Sequence, residues 1–460
     1  MTIWFDVEDL IRFFQGAARP TGIQRFSLET CRAAAAIAEP GEVRFCARNT
    51  LGTGLREVDF PALDAAIASL ANARDAAPPP PRTATPQPGA LARAAMRLDP
   101  RFRLPLGQLA RAAKSGIAAT RDLAAACHPS RRRPSLHGEA LFRPDGDIRP
   151  GPGDWVVHLG ASWERPYPAA LRRALAASGA GVALLAHDTI PALFPEWCTA
   201  AMVRSFAAWL QGPVPQADLM FAVSRNTAHD LCDWLAARGQ FIAPPVVLPP
   251  GGIFRHAAPE APPLLAEPYV LMVGTIEARK NHAAMLRVWR RLLNERGTGD
   301  VPVLVFAGKP GWLTTDLLQQ LENADYLGGK IRHIPGASDA ELASLYRHCL
   351  FSVFPSLYEG WGLPVTESLS FGQPAAAACR GAIPEAGGAF CAYFDPDDIS
   401  SIHGVITQWL DHPEEVAALR ARIRAHFTPP SWTSTAAALL DTLAARITAP
   451  AAPDFALSAP

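Results

Sequence analysis

Short apolar runs alternate with amphipathic stretches, and the pattern occurs twice along the chain. In the first half the runs are TIWFDV (2–7), WVVHL (155–159), VALLAH (182–187) and LMFAVS (219–224). In the second half they are YVLMVG (269–274), PVLVFAG (302–308), KIRHI (330–334) and LFSVFPS (350–356). Nearly continuous apolar runs of this length suit strands covered on both faces of a parallel sheet. Helical patterns follow them: NTAHDLCDWLAARG after Ser224, NHAAMLRVWRRLLNER after Lys280 and DAELASLYRHC after Ser338. This repetition predicts an α/β protein with two Rossmann-like domains facing each other across a cleft. Ligands of such sheets lie beyond the carboxyl ends of the strands.

The punctuation sets the boundaries. Residues 246–268 are dense in proline and glycine and read as a linker between a first domain (1–245) and a second (269–428). SWTSTAAALLDTLAARI predicts a final helix over 429–448, crossing back to the first domain, and 449–460 a disordered tail. One segment breaks the pattern. From 78 to 134 the chain is rich in Pro, Ala and Arg, with eleven Arg or Lys between Arg82 and Arg133 against Asp99 and Asp122. It reads as a surface insertion, with basic amphipathic helices on an anionic membrane or acceptor as the alternative.

Bulk properties narrow the class. A 460-residue chain with 49% hydrophobic and 19% charged residues has an ordinary globular composition, and its net charge of +0 gives no global attraction for nucleic acid. Eight cysteines stand singly with no CxxC pair, so free thiols in a reducing cytosol are expected, with no zinc site or disulfide framework. The N-terminus lacks a basic and apolar leader, and no apolar run is long enough to span a bilayer. A cytoplasmic protein is expected, with peripheral contact at the inner membrane face as an extension.

FPSLYEGWGLPVTESLSFGQP (354–374) carries the strongest chemical signal. It holds Glu359 and Glu367, with seven residues between them. A helix is predicted to begin at Pro364, since proline is favoured at a first helical position. Gly360 and Gly362 admit a ligand close to the backbone, and the amides of Leu363, Val365 and Thr366 then form a phosphate seat. Glu367, a turn into the helix, suits the two hydroxyls of a ribose. Glu359 is expected to face a sugar, because a carboxylate beside phosphate is repelled. In LMVGTIEARKNH (271–282), Gly274 ends a strand, and Arg279 with Lys280 suits a diphosphate.

GTIEARKNH, FAGKPGW (306–312), DAELASLY (339–346) and EGWGLPVTESLSFGQP together resemble the retaining glycosyltransferases of family 4, which have the GT-B fold and a Glu-x7-Glu motif. The likeness is close over about 260–425 and looser before it. It implies a nucleotide-sugar donor in the second domain. Arg279 and Lys280 would hold the diphosphate, Glu359 the transferred sugar, Gly362, Leu363, Pro364 and Val365 the sugar or phosphate, and Glu367 the ribose. RPTGIQRFSLE (19–29) resembles the family's Gly-Gly-Ile-Gly-Arg loop, with Thr21 and Gln24 replacing two glycines, so Gly22 would approach the donor phosphate and Asp6 and Asp9 would lie nearby. LLAHDTIPALFPEW (184–197) puts His187 and Asp188 at a strand end, where the resemblance implies that His187 contacts the transferred sugar beside its anomeric carbon and that Asp188 lies on the acceptor side. HLGASW (158–163) places Ser162 towards the acceptor.

No DxD pair stands at a strand end, and DPDD (395–398) reads as a turn and helix cap, so no metal and no cofactor is expected. The implied reaction moves a hexose with retention onto a saccharide or lipid-linked hydroxyl. GDP-mannose is the first choice of donor, and UDP-hexoses or dTDP-rhamnose are the alternatives. No carboxylate is placed for a two-step glycosidase-type path. The implied route is a front-face substitution in which the leaving phosphate takes the acceptor's proton. Two rivals are a non-catalytic scaffold, which would tolerate loss of Arg279, Lys280 or Glu359, and a phosphorylase, which commonly needs a longer chain.

Overall fold

The computed structural model describes residues 1–49, 52–75, 141–252 and 262–448. The expectations for 78–134, for the middle of the linker and for the 449–460 tail lie outside the described residues. Two compact units divide the chain. One comprises Met1–Phe13, Pro20–Asp59 and Phe142–Pro460 and holds both sheets. The other comprises Phe14–Arg19 and Phe60–Leu141, and its described part includes the Phe60–Asp75 helix.

The first sheet contains β1 (Ile3–Asp6), β2 (Val43–Arg48), β3 (Leu55–Val58), β4 (Phe142–Ile148), β5 (Trp155–His158), β6 (Gly181–Ala186), β7 (Leu219–Ala222) and β8 (Val246–Val247). Their order is β4-β3-β2-β1-β5-β6-β7-β8. All neighbours are parallel except β2–β3 and β3–β4. The second sheet contains β9 (Tyr269–Val273), β10 (Val303–Ala307), β11 (Ile331–Ile334), β12 (Ser352–Phe354), β13 (Ala375–Ala378) and β14 (Cys391–Phe394), in the all-parallel order β11-β10-β9-β12-β13-β14. Strand order reverses between β9 and β12 in the second sheet, and between β1 and β5 in the first. Those switch points open crevices at the carboxyl edge.

The apolar runs are explained by covering on both faces. Val270, Met272, Leu304 and Phe306 pack with Ala284, Val288 and Trp289 of the His282–Arg296 helix. Their neighbours Tyr269, Leu271, Val303 and Val305 pack on the other face with Leu345 and Tyr346 of the Asp339–His348 helix. Each such buried Leu, Val or Phe contributes on the order of 1.5–3 kcal/mol of transfer free energy.

Two boundaries differ from the sequence reading. Val246 and Val247 pair with β7, so the first sheet runs two residues into the stretch read as a linker. The final helix, Trp432–Thr448, lies along the Gly22–Ile37 helix of the first domain. There the Trp432 and Phe26 rings meet edge to face at 5.6 Å, and Thr435 Oγ1 donates to Pro249 O at 2.6 Å.

Candidate active site

The second domain's switch point gathers the cations. After β9, Gly274 N donates to Ala307 O (3.0 Å), and the chain enters a 3-10 turn at Ala278–Lys280. Asn281, left-handed at φ 61°, then starts the His282–Arg296 helix. The loop after β12 meets this turn, with Leu357 N donating to Arg279 O (2.9 Å) and Arg279 Nη1 to Tyr358 O (2.9 Å). Lys280 Nζ lies 2.5 Å from Glu359 Oε1, Arg279 is ion-paired with Glu359 Oε2, and Arg279 Nη2 donates to Glu277 Oε1 at 2.9 Å.

The group is largely shut off from water: the side chains of Arg279, Lys280 and Glu359 are 15%, 12% and 10% exposed. Burial pushes the Glu359 carboxyl up, but Arg279 and Lys280 outweigh it and hold it at about 2. Burial likewise opposes the Arg279 charge, and Glu359 and Glu277 overcome it. The expectation that Glu359 faces a sugar concerns the site with its donor bound. In the structure its carboxylate pairs with both Arg279 and Lys280, because a buried guanidinium and a buried ammonium need a counter-anion.

The helix expected from Pro364 begins one residue earlier, at Leu363, and runs to Ser370 with Pro364 in its second position. Gly362 precedes it at φ 117°, a conformation side chains rarely adopt. The amide seat is smaller than expected. Val365 N and Thr366 N turn back on Gly362 O (2.9 and 3.4 Å), and Pro364 has no N–H, so the Leu363 amide is the helix-start donor left without an internal acceptor among the described residues. Glu367 is buried on the same helix, and Tyr346 OH donates to its Oε2 at 3.0 Å. Burial pushes its carboxyl up to about 7, although Arg25, the Tyr346 bond and Lys280 pull it down.

The first domain supplies the facing wall. His187 follows β6 and is buried, with Nε2 2.7 Å from Leu159 O. A carbonyl only accepts, so Nε2 carries the proton and Nδ1 is an acceptor. Burial lowers its pKa to about 4, so the ring is neutral at pH 7. Asp188 Oδ1 accepts from Ile190 N (3.0 Å); burial pushes its carboxyl up and Arg279 pulls it down. The wall touches the glutamate loop directly: a Cβ on Gly360 would lie 1.9 Å from His187 O and 2.9 Å from Asp188 Cβ. Only glycine permits that approach.

Gly22 opens the Gly22–Ile37 helix opposite Leu363, whose Cδ1 lies 3.5 Å from the position of an added Cβ. Ser162 Oγ is buried without a hydrogen-bond partner among the described residues. Asp9 accepts from Gln24 Nε2 (3.2 Å), and Asp6 accepts from Tyr167 OH (2.5 Å) with His158 at 3.5 Å, so Asp6 belongs to a network inside the first domain.

The structure thus brings Arg279, Lys280, Glu359, His187 and Asp188 together around Gly360, and Gly22 with Leu363. It also adds residues the sequence reading passed over: Glu277, Tyr346, Tyr358 and Arg25, which pairs with Asp339 at 3.4 Å. Glu277 had a readable signal, since it stands two residues before Arg279 in the same motif. The others are joined only by the fold. Among the described residues no three His, Cys, Asp or Glu side chains converge as a metal-ligand set, and no helix is long and apolar enough to cross a membrane.

Residues 258–426 match the family model described as glycosyl transferases group 1. The chain is 29% identical over 260 residues to the serotype-specific mannosyltransferase WbdA of Escherichia coli, a match covering 53% of this chain and 32% of that protein. It is 35% identical over 159 residues to the O-antigen chain mannosyltransferase B of Escherichia coli, covering 34% of this chain and 41% of that one. It therefore spans well under half the length of these relatives. Among solved structures, trehalose-6-phosphate from E. coli bound with UDP-2-fluoro glucose superposes with a TM-score of 0.52 at 13% identity, covering 63% of this chain and 73% of that one. An OtsA apo structure gives 0.51 at 14% identity, covering 63% and 72%. With two Rossmann-like domains joined along one carboxyl-edge seam, the chain has the GT-B fold.

Proposed function

We propose that the chain is a retaining, family 4-type glycosyltransferase that moves mannose from GDP-mannose to a hydroxyl of a saccharide or lipid-linked oligosaccharide in surface-polysaccharide synthesis. One observation carries this reading: Arg279 and Lys280 lie buried at the second domain's switch point, facing His187 and Asp188 of the first. Two fixed cations in a water-poor crevice suit a leaving diphosphate, whose growing charge they stabilise. An arriving diphosphate competes with Glu359 for both cations. The displaced carboxylate is then available to the hydroxyls of the transferred sugar. Neutral His187 fits beside an uncharged sugar ring, and the leaving phosphate accepts the acceptor's proton. The relatives' printed activities, both mannosyl transfer, support mannose over the UDP-hexose and dTDP-rhamnose alternatives.

Calorimetric titration with GDP-mannose, UDP-glucose and dTDP-rhamnose, with EDTA present, tests donor and metal independence together. Binding of GDP-mannose alone is the expected result. Silence towards all three and towards GDP, UDP and dTDP overturns the reading.

A second expectation concerns pH. Ribose hydroxyls donate to a carboxylate, so the ionised form of Glu367 is the binding form. With its pKa near 7, GDP affinity rises roughly tenfold between pH 6 and pH 8. Glu367→Gln removes that slope relative to wild type, with the ligand's own ionisation common to both. Equal slopes in the two proteins would show that Glu367 does not titrate in binding.

A further inference from the structure

The seam between the domains is fastened at a place outside the substrate-facing residues. The Arg225–Ala236 helix of the first domain starts with Ser224 as its cap, Oγ accepting from Thr227 N at 2.9 Å. The two amides before Thr227 are capped from the other domain: Arg225 N and Asn226 N donate to Glu385 Oε2 (3.0 Å) and Oε1 (2.8 Å). The Glu385 side chain is only 16% exposed. Beside it, Tyr358 OH donates to Asp230 Oδ2 (2.7 Å) and accepts from Asn226 Nδ2 (2.9 Å), while Thr189 Oγ1 donates to the same Asp230 oxygen (3.2 Å). Thr227 Oγ1 donates to Gly360 O at 3.3 Å.

These bonds reach the active site through covalent neighbours. Tyr358 and Gly360 flank Glu359, so the residues on both sides of it are pinned across the seam. Tyr358 O accepts from Arg279, and Ala382 N, three residues before Glu385, donates to Glu359 O at 3.0 Å. Opening the cleft would strip Glu385 of two charge-assisted bonds at a positive helix end and leave two amides to water.

We propose that Glu385 and Tyr358 form a clasp that holds the two domains closed and thereby sets Arg279 and Glu359 for the transfer, which makes them positioning residues. This rests on the transferase reading above. The clasp acts after the donor is seated in the second domain, so it governs turnover rather than nucleotide affinity.

The test uses Glu385→Ala, Glu385→Gln and Tyr358→Phe in the full chain, with GDP as the probe. Calorimetry should give a GDP affinity within about twofold of wild type. Small-angle scattering with GDP bound should show a larger radius of gyration in each variant. Where transfer or donor hydrolysis is followed, kcat should fall at least about tenfold in Glu385→Ala with KM for donor nearly unchanged, and less in Glu385→Gln, which keeps one acceptor oxygen. If Glu385→Ala does not fold, the other two carry the test. Wild-type scattering and wild-type kcat in all three would overturn the clasp alone. GDP affinity lost in step with kcat would also overturn it, as a merely structural effect. A wild-type protein that binds no nucleotide would overturn the transferase reading, and the clasp with it.

Discussion

Lys280→Ala is expected to lower kcat/KM for glycosyl transfer about a thousandfold while the protein stays folded. The first half follows from where the lysine lies. It is a nearly buried point charge, and a leaving diphosphate gains a full unit of charge as the glycosidic bond breaks. Removing one fixed donor of this kind costs about 3–4 kcal/mol of transition-state stabilisation. The second half follows from its neighbours. Arg279 still bridges Glu359 and Glu277, so the buried acids keep a counter-charge and the loop after β12 keeps its bonds to the 3-10 turn. Circular dichroism and a thermal melt close to wild type would confirm the fold, and initial rates with donor well below its KM would read the loss. Turnover near wild type in this variant would sink the assignment, because a scaffold tolerates the change and a transferase of this type does not.

The fold was legible where strands are buried on both faces. YVLMV and VLVFA show apolar runs because helices cover both sides of the second sheet, and β9 and β10 appear where the runs predict them. The Asp339–His348 helix appears where the pattern after Ser338 predicts it, and Ser338 with Glu341 closes its start as a capping box. β13 was not legible. It is four alanines, which favour helix in isolation, and it is a strand here because it pairs between β12 and β14, fully buried. β3 and β4 were missed for a different reason. They pair antiparallel at the sheet's edge with a register shift, across a stretch of chain that interrupts the alternation.

The chemistry was legible along the chain and not across it. Arg279 and Lys280 beside a strand end, and Glu359 and Glu367 around a glycine turn, could be picked out because each set is local. Their mutual arrangement could not. Like-charge reasoning about a bound phosphate turned Glu359 towards a sugar and did not foresee its pairing with Arg279 and Lys280, which burial imposes. Arg25 beside Glu367, and Glu385 capping the start of the Arg225–Ala236 helix, depend on pairs of elements from different domains, for which no spacing rule exists.

That partnership gives a second large effect, opposite in sign for ligand binding. Glu359→Gln should destabilise the unliganded protein and strengthen its grip on a nucleoside diphosphate. The amide takes from Lys280 its ion-pair partner and leaves Arg279 ion-paired with Glu277 among the described residues; stripping one partner from a buried pair costs about 3–5 kcal/mol. The loss has a pH signature. The cations hold the Glu359 pKa at about 2 against an ordinary 4.5, so its contribution is fully present above about 4.5 and fades as pH falls towards 2. The difference in melting temperature between wild type and variant should therefore be constant from pH 6 to 8 and shrink below about pH 4. A diphosphate fills the role the carboxylate vacated and meets no competitor for the cations. GDP should then raise Tm more in Glu359→Gln than in wild type, while transfer falls because the sugar loses its carboxylate. Equal Tm shifts in the two proteins would mean that the diphosphate does not enter between Arg279 and Lys280, and that the ion cluster is architecture rather than a donor site awaiting its ligand.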